Sequence, residues 1–316
     1  MYTSFEHKNK VHIPVLKEEV LDAMNLKAGD KVVDATLGLG GHAKEILKAI
    51  GKSGHLYAFE QDERNLKVAK ENLKDFTDQV TYFHYNFASL KTCLSDANQP
   101  CVNAVFFDLG LSSPHVDDPA RGFSFRSVGP LDMRFDQRRK LTASEIVNKW
   151  SEDKLVQIFS KYGEERMSKT VAREIVSRRK DKPFETTVDL ADFIKYIKRN
   201  LHEKKDPATQ IFQALRIAVN NEMVVLADAL VQAIDAVCAG GRVVAISYHS
   251  LEDRIVKNVF RDLSRDLEDP NEPFIHKVIR EKQVSVLTKK PIEPSAKEVS
   301  ENPRARSAKM RVVEKE

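Results

Sequence analysis

The sequence predicts an α/β protein built on a parallel sheet, with a helical domain inserted into the sheet domain. Short apolar runs alternate with helical patterns over residues 1–110, which is typical of a parallel sheet. The alternation stops across 117–208, where the chain is polar, basic and helical by its periodicity, and it then resumes. We therefore predict a discontinuous sheet domain formed by 1–116 and 209–316, and an inserted domain formed by 117–208.

The first half of the chain contains most of the predicted sheet. A helix over 15–24 precedes the first strand, with Pro14 near its first turn and Gly29 after its end. The run Ala104-Val-Phe-Phe107 is fully apolar, as expected of a central strand buried on both faces. The strands are predicted at 31–34, 55–59, 80–85 and 104–107, and the helices at 43–50, 62–73 and before Pro100.

Longer helical patterns dominate the insertion and the residues after it. The range 209–239 predicts one long helix or two abutting ones, ended by Gly240-Gly241. A strand follows at 242–248, and Ser250 is the predicted N-cap of the next helix, with Asp253 three residues later. The other helices are predicted at 142–150, 153–162, 166–179 and 188–200, and two strand-like stretches at 274–279 and 305–313.

A turn with three glycines joins the first predicted strand to its helix. Asp34 ends the strand, and Gly38, Gly40 and Gly41 follow before the helix begins. Glycine accepts positive φ and has no Cβ, so a ligand can approach the backbone and the free N–H groups of the helix start. Glu60 ends the next strand, about 20 residues past the glycines, where an acid commonly binds ribose hydroxyls. The pattern favours a nucleotide or nucleoside cofactor.

Polar residues gather at the predicted carboxyl ends of four strands. The four clusters are 34–42, Glu60, 108–114 and 247–253. Ligands of open parallel sheets bind beyond these ends. Loops are also polar simply because they are solvated, so the convergence of the four clusters carries the prediction of a functional site here.

Composition and charge limit the classes of function. An apolar fraction of 41% and a charged fraction of 31% are typical of a globular protein, and no run reaches the ~18 apolar residues of a membrane helix. Residues 121–220 carry 22 Lys and Arg against 14 Asp and Glu, a net charge of +8, whereas the other residues carry 29 against 33. A basic segment favours a polyanionic partner, although a solvated helical surface gives the same pattern.

The cysteines and the N-terminus predict a cytoplasmic protein. Cys93, Cys101 and Cys238 show neither metal-type spacing nor an even count, so we expect three reduced thiols. The first residues lack the apolar core of a signal peptide. No spacing of ligand residues suggests a metal site, so we name no metal-binding residue, and metal dependence stays undecided. We expect no membrane partner.

Eight segments match one family in order along the chain. They are His12-Ile-Pro-Val15, Asp34-Ala-Thr-Leu-Gly-Leu-Gly-Gly-His42, Asp108-Leu-Gly-Leu-Ser-Ser-Pro114, Arg121-Gly-Phe-Ser-Phe125, Gly129-Pro-Leu-Asp-Met-Arg134, Tyr162-Gly-Glu-Glu-Arg166, His249-Ser-Leu-Glu-Asp-Arg254 and Asn302-Pro-Arg-Ala-Arg-Ser307. In these segments, which span nearly the whole chain, the sequence resembles the ribosomal RNA small-subunit methyltransferase H family, also called MraW.

The resemblance implies a specific fold and reaction. The fold would be a class I S-adenosylmethionine-dependent methyltransferase sheet (Rossmann-like) that carries an inserted, substrate-recognising helical domain. The reaction would be N4-methylation of a cytidine of 16S rRNA, at the decoding centre of the small ribosomal subunit. The sequence leaves open whether the chain forms a homodimer.

The resemblance also implies the residues that bind S-adenosylmethionine. Glu60 would bind the ribose, where relatives often have aspartate, and its longer side chain should still reach two hydroxyls. Phe87 would contact adenine, and His115 stands where relatives often have glutamine. The implied cofactor-binding residues are Gly40, Gly41, His42, Glu60, Phe87, Asp108 and His115.

Asp108 is the candidate catalytic residue. The N4 amine of cytosine is a poor nucleophile because its lone pair is delocalised into the ring, so the enzyme should accept hydrogen bonds from the amino group. Asp108, or the backbone carbonyls of 109–113, would be that acceptor, since they follow the fourth strand. Positioning of the reactants can supply a further ~7–11 kcal/mol.

The residues around the loop at Pro114 predict contact with RNA. Arginines interleaved with aromatic residues, as at Arg121 and Phe123, suit an unstacked base and its phosphates, although packing of Phe123 under the insertion is an alternative. His249 either lines the site or is a buried histidine. The predicted substrate residues are Ser112, Ser113, Arg121, Phe123, Arg134 and His249.

Two other functions fit parts of the sequence. Gly38-x-Gly40-x-x-Ala43 with Glu60 also matches the dinucleotide fingerprint of a nicotinamide dehydrogenase, but such an enzyme has no need of the basic insertion. A cofactor-free RNA-binding module would leave the glycine turn and Glu60 unexplained. Titration with S-adenosylmethionine and with NAD separates the three functions.

Overall fold

The computed structural model describes residues 14–199, 206–269 and 278–316, which fall into two units. The sheet unit is formed by the described parts of 1–60, 66–109 and 228–316, and the helical unit by those of 61–65 and 110–227. Three predictions lie partly outside the described residues: the start of the segment at His12, the end of the helix at 188–200, and most of the strand at 274–279.

Nine strands occur among the described residues. They are β1 (Lys31–Asp34), β2 (His55–Phe59), β3 (Val80–Phe83), β4 (Val102–Asp108), β5 (Val237–Ser247), β6 (Leu267–Glu268), β7 (Val278–Arg280), β8 (Val284–Val286) and β9 (Lys309–Lys315). Seven of them form one sheet in the order β3-β2-β1-β4-β5-β9-β8, and β6 pairs with β7. The five strands β3, β2, β1, β4 and β5 are parallel to one another. The strand β9 is antiparallel to β5, and β8 is antiparallel to β9. The predicted α/β, Rossmann-like parallel sheet is confirmed.

The register of the sheet aligns the carboxyl ends of its central strands. Asp34, the last residue of β1, lies opposite Ala58 of β2 and Phe106 of β4. Asp108, the last residue of β4, lies opposite Ile246 of β5. The residues that follow these strands therefore lie along one edge, where a ligand of an open parallel sheet binds.

Thirteen α-helices occur in the described ranges. They are α1 (Lys17–Met24), α2 (Gly41–Ile50), α3 (Glu63–Asn72), α4 (Leu90–Asp96), α5 (Ser113–Asp117), α6 (Ala143–Lys149), α7 (Glu152–Lys161), α8 (Ser168–Arg178), α9 (Thr187–Ile197), α10 (Thr209–Asn220), α11 (Glu222–Ala236), α12 (Ser250–Leu263) and α13 (Ala296–Glu301). The helices predicted from periodicity are present within a few residues of their expected limits. The short elements α5, α13, β6 and β8 carry too few periodic positions to be predicted.

Each unit has its own hydrophobic core. The core of the sheet unit includes the central strand residues Val32, Phe106 and Val244, all fully buried. In the helical unit, Ile211 and Leu215 of α10 pack in the same core as α6 to α9. Because the α/β alternation resumes near residue 209, the sequence predicts α10 in the sheet domain. Its apolar face is instead buried in the helical unit, whose main segment runs over 110–227 rather than 117–208.

The chain between α11 and β5 departs from two predictions. The helical pattern was expected to continue to residue 239, but α11 ends at Ala236 and β5 begins at Val237, with a register shift against β4. Cys238 in this strand forms a disulfide with Cys101, and their Cα atoms are 5.2 Å apart. The prediction of three reduced thiols is therefore wrong for two of them, because strand pairing joins cysteines 137 residues apart.

A helix that crosses a membrane must be long and apolar. Across the described ranges, no single helix is long and apolar enough to span one. The helices α10 and α11 meet the criterion only when taken together, and they are bent by 56° where they meet.

Candidate functional site

The glycine turn leads directly into α2, and its backbone carries no side chains at Gly38, Gly40 and Gly41. Gly38 and Gly40 adopt φ of 54° and 85°, a region that residues with a Cβ rarely enter. A Cβ at Gly40 would also lie 3.2 Å from the side chain of Leu73. Gly40 is the N-cap of α2 and offers no side-chain cap, so the first N–H groups of the helix keep their capacity to bind a ligand.

Asp108 lies at the centre of the carboxyl edge of the sheet. The hydroxyl of Tyr248 donates a hydrogen bond of 2.7 Å to its Oδ1. Nε2 of His42, in the first turn of α2, lies 3.7 Å from its Oδ2. Three elements of the sheet unit thus meet at one carboxyl group, whose side chain is still 22% exposed.

A second carboxyl group, that of Asp34, is linked to Asp108 through Thr36. The N–H of Thr36 donates to Oδ1 of Asp34 at 3.0 Å, and its hydroxyl accepts the N–H of Asp108 at 2.6 Å. Asp34 is only 1% exposed. Asp108 is therefore the one of the pair that a ligand can reach, and Asp34 fixes the turn behind it.

Both carboxyl groups titrate close to neutral pH. Burial raises the pKa of Asp34 to about 7. The hydrogen bond from Thr36 lowers this pKa, and the negative charge of Asp108 raises it. Burial likewise raises the pKa of Asp108 to about 7; the hydrogen bond from Tyr248 opposes the rise, and the charge of Glu252 adds to it. A cation bound at this edge would favour ionisation of Asp108.

Two other predicted cofactor residues follow β2 and β3. Glu60 is 8% exposed, and its N–H donates to the carbonyl of Phe83 at 3.1 Å. Phe87 is half-buried and packs edge-on against Phe107, with ring centroids 5.6 Å apart. Gln232 holds the turn after Phe87 by donating to the carbonyl of Ala88. Both predicted side chains belong to the sheet unit.

The N-terminus of α12 is capped differently from the prediction. His249, rather than Ser250, is the N-cap, and it accepts the N–H of Glu252. Glu252 in turn accepts the N–H of Tyr248 at 2.9 Å and lies 3.0 Å from Nε2 of His249. The cap lies one residue earlier than expected, and Asp253 instead forms a salt bridge with Arg311 at 2.6 Å. The predicted substrate residue His249 thus also fixes the segment that carries Tyr248.

The helical unit contains a buried cluster of charged residues. Nε2 of His115 lies 2.8 Å from Oδ2 of Asp62, and the Arg121 guanidinium forms an ion pair with the same oxygen. Arg121 is 2% exposed and also donates to the carbonyls of Arg134 and Phe135. Burial alone would raise the pKa of Asp62, but the hydrogen bonds from His115 and Arg121 outweigh it and lower the pKa to about 2. Arg121 and His115 therefore stabilise the loop after β4 through buried contacts.

His115 uses both ring nitrogens inside the helical unit. Its Nδ1 lies 2.9 Å from the hydroxyl of Ser112 and accepts the N–H of that residue. Burial lowers the pKa of His115, with the bond to Asp62 acting in the opposite sense. The neutral ring thus donates to Asp62 from Nε2 and accepts from Ser112 at Nδ1. Asn65 completes the chain by donating to the Ser112 hydroxyl at 3.0 Å.

The remaining predicted substrate residues lie in the same unit with different degrees of exposure. Phe123 is 8% exposed and stacks on Phe135 at 5.2 Å, so the packing alternative accounts for its position. Arg134 is half-buried and forms two hydrogen bonds with Asp132, of 2.8 and 2.7 Å. Ser113 is half-buried at the start of α5.

Sequence reasoning missed the residues that support Asp108 and His115. Tyr248 and Thr36 follow the ends of β5 and β1, so the strand-end rule that found Asp108 could have found them. Asp62 lies two residues after Glu60 and could have been found in the same way. Glu252 lies in the predicted cluster 247–253, but its role arises from the cap of α12, which the strand-end rule does not describe. Across the described ranges, no group of three His, Cys, Asp or Glu side chains is arranged to hold a metal ion.

A family model and one curated relative identify the family of this chain. The model of the MraW methylase family matches residues 9–316. A ribosomal RNA small subunit methyltransferase H from Streptococcus mutans serotype c is 43% identical over 308 residues, covering 96% of this chain and 97% of the relative. An rRNA methylase from Streptococcus thermophilus has a similar structure at 12% identity and a TM-score of 0.41, covering 95% of this chain and 93% of that one. A SAM-dependent O-methyltransferase from Thermotoga maritima gives the same identity and TM-score, with 95% and 64% covered.

Proposed function

Because this chain belongs to the MraW methylase family, we propose that it is an S-adenosylmethionine-dependent methyltransferase of small-subunit ribosomal RNA. The finer proposal is that the acceptor is N4 of a cytidine in the 16S rRNA decoding centre. The observation that carries it is the partly exposed Asp108 carboxyl group at the carboxyl edge of a parallel sheet, beside a glycine turn. The chain would act in the cytoplasm on the small ribosomal subunit, as a monomer or a homodimer.

The glycine turn and the two carboxyl groups fit the cofactor. At Gly40 a side chain would be strained by the positive φ and crowded by Leu73, so this turn needs glycine and leaves bare backbone at the start of α2. S-adenosylmethionine, when bound, supplies an electrophilic methyl group on a positively charged sulfonium. Asp108 would offer that charge a carboxylate, and Asp34 would add negative charge behind it. Gly40, Gly41 and His42 would hold the cofactor from α2.

Glu60 and Phe87 would hold the nucleoside part of the cofactor. A carboxylate after the second strand is placed to accept hydrogen bonds from two ribose hydroxyls. The half-buried ring of Phe87 offers an apolar face to adenine, and its packing against Phe107 limits its motion. A contact of His115 with the cofactor is implied by the resemblance alone. Within the helical unit, Asp62 and Ser112 engage both of its ring nitrogens.

Asp108 would also accept a hydrogen bond from the N4 amino group. Accepting that bond localises the nitrogen lone pair toward the methyl group and lets the proton leave to the carboxylate or to water. A carboxyl group with a pKa of about 7 is matched to this task at neutral pH, since it is an effective base and is still substantially ionised. Tyr248 would hold the carboxylate by its Oδ1 and leave Oδ2 for the ligand.

The helical unit would bind the RNA. Ser112, Ser113 and Arg134 are the proposed substrate contacts of the helical unit. His249 is the proposed substrate contact of the sheet unit. Arg121 and Phe123 are buried in the structure, and their contribution would be to fix the loop that carries Ser112. The basic charge of the insertion supports a polyanionic substrate.

The test of the function is methyl transfer from labelled S-adenosylmethionine to small ribosomal subunits that lack the modification. Digestion to nucleosides identifies the product, and N4-methylcytidine is the expected one. Label in another methylated nucleoside would overturn the finer proposal, and binding of NAD in place of S-adenosylmethionine would overturn the broader one. Naked 16S rRNA, tested in parallel, distinguishes free RNA from the assembled subunit as the substrate.

Replacing Tyr248 with phenylalanine should shift the pH dependence of cofactor binding. The Tyr248 hydroxyl lowers the pKa of Asp108, so its loss should raise that pKa by about one unit, the equivalent of ~1.4 kcal/mol of hydrogen bonding to a charged group. The carboxylate, which forms as pH rises through the pKa, is the form that attracts a sulfonium. His42, Asp34 and Glu252 also face Asp108 and remain in place.

The measurement is the ratio of the affinities for S-adenosylmethionine and S-adenosylhomocysteine, from about pH 6 to about pH 9, by calorimetry. The product lacks the positive charge, so the ratio isolates the charge interaction. The pH at which this ratio is halfway between its low-pH and high-pH values should be higher in the variant than in the wild type. An unchanged midpoint would show that Tyr248 does not control Asp108.

A further inference from the structure

The helical unit contains a concave surface between α7 and α10. We call it the α7–α10 groove. It has a volume of about 290 Å³. Its lining includes the side chains used below: Trp150, Lys154, Gln157, Lys161, Tyr162 and Asn221. None of these residues belongs to the site described above.

The groove combines aromatic rings with ammonium groups. Nζ of Lys154 lies 5.8 Å from the ring centroid of Trp150, and Nζ of Lys161 lies 5.6 Å from that of Tyr162. Neither lysine forms a salt bridge with any residue in the described ranges. Each positive charge is therefore held beside a ring and is not neutralised by the protein.

The positions of these side chains follow from the fold. Lys154, Gln157 and Lys161 lie three and four residues apart on α7 and so share one face. Trp150 is half-buried, and its carbonyl accepts a hydrogen bond from Arg179 at 2.6 Å. Gln213 of α10 donates to the carbonyl of Tyr162 at 3.0 Å. Both rings are attached to fixed backbone and are only half-buried, so part of each ring is exposed to a planar ligand.

We propose that the α7–α10 groove binds an unpaired nucleotide of the RNA substrate. The base stacks on Trp150 or Tyr162, and Lys154 and Lys161 contact the phosphates on either side. Gln157 and Asn221 carry amide groups that can both donate to and accept from the edge of a base. Aromatic stacking next to lysine-bound phosphates is the general chemistry of single-stranded RNA recognition. The inference rests on the proposed function, and it places an RNA contact on a helix pair that no catalytic residue occupies.

Trp150 is the only tryptophan of the chain, so the intrinsic tryptophan fluorescence reports on the α7–α10 groove. The full-length protein is titrated with a short single-stranded oligoribonucleotide of the decoding-centre sequence while tryptophan fluorescence is recorded. We expect saturable quenching that follows the binding curve obtained from the anisotropy of the labelled RNA. The same sequence as a duplex should quench weakly, because its bases are already stacked.

Variants separate stacking from charge. Trp150→Ala should weaken binding of the single strand about 10- to 100-fold, whereas Trp150→Phe, which keeps a ring, should retain most of the affinity. Lys154→Gln with Lys161→Gln should lower the slope of log affinity against log salt by about 1.4. Lys52→Gln with Lys67→Gln makes the same change of charge on exposed residues of the sheet unit and should leave the slope nearly unchanged.

Three results would overturn the proposal. The first is RNA binding by anisotropy without a change in tryptophan fluorescence. The second is wild-type affinity in Trp150→Ala and in the double lysine variant. The third is equal quenching by polyglutamate, which would indicate a docking surface for acidic protein. Methyl transfer to small subunits by the same preparation distinguishes these results from a failure of the proposed function, which would abolish the methylated product itself.

Discussion

Asp108→Asn is expected to lower kcat for methyl transfer about 100- to 1000-fold, the usual effect of removing one aligned electrostatic group from an active site. Asparagine has nearly the same shape as aspartate, and its amide oxygen can still accept the hydrogen bond from Tyr248, so the fold should persist. Under the proposed function, the variant would lack the negative charge beside the cofactor and the base that accepts the amino proton. Single-turnover methyl transfer to small subunits, with both substrates saturating, measures the effect.

Asp96→Asn provides the matched control. Asp96 ends α4 in the same unit, is exposed, and should tolerate the same change without loss of turnover. A comparison of KM with kcat then locates the effect of Asp108→Asn. Near-normal kcat with intact binding of both substrates would remove Asp108 from the chemistry and leave the backbone carbonyls of 109–113 as the acceptors. A rise in KM for S-adenosylmethionine alone would indicate a role only in binding the cofactor.

Lys198→Met is expected to destabilise the helical unit by about 3–5 kcal/mol, because it leaves a buried carboxylate without its partner. Nζ of Lys198 lies 2.8 Å from Oε2 of Glu165, and the two side chains are 0% and 1% exposed. The ammonium group also donates to the carbonyl of Pro207 at 3.2 Å, while Oε1 of Glu165 accepts the N–H of Met167. Urea unfolding followed by Trp150 fluorescence measures the free energy of unfolding of this unit.

Two further variants test whether burial is the cause. Lys198→Met combined with Glu165→Leu removes both charges and should recover much of the loss, since an apolar pair avoids the desolvation cost. Lys149→Met breaks the exposed pair with Glu145, at 3.6 Å, and should change stability by less than ~1 kcal/mol. If Lys198→Met were as mild as Lys149→Met, the buried pair would not be ionised in the folded protein.

The Glu165 pair gives a structural role to one sequence motif. Tyr162-Gly-Glu-Glu-Arg166 is one of the eight segments that carry the family resemblance. In the structure Glu165 is fully buried and holds the C-terminal end of α9 to the segment before α8. Tyr162 is the residue of this motif that lines the α7–α10 groove. One motif thus contains a structural residue and a residue of the proposed RNA site.

The sequence by itself determined the sheet, most of the helices and the carboxyl edge where the candidate site lies. Apolar runs, helical periodicity and glycine turns are local signals, and they identified β1, α2 and β4 within a few residues. The rule that ligands lie beyond the carboxyl ends of parallel strands then selected Asp108 and Glu60 without knowledge of any contact. The insertion was visible because its pattern differs from that of the sheet.

Only the tertiary structure decided how these residues are paired. Tyr248 and Asp108 are 140 residues apart, and the bond between them depends on the pairing of β4 with β5. The Cys101–Cys238 disulfide depends on the same pairing. The burial of Arg121 depends on packing within the helical unit. Arg121 was predicted to contact RNA, but in the structure it forms an ion pair with Asp62. Local patterns reflect the preferences of neighbouring residues, whereas burial and pKa are set by groups that only the folded chain brings within a few ångströms.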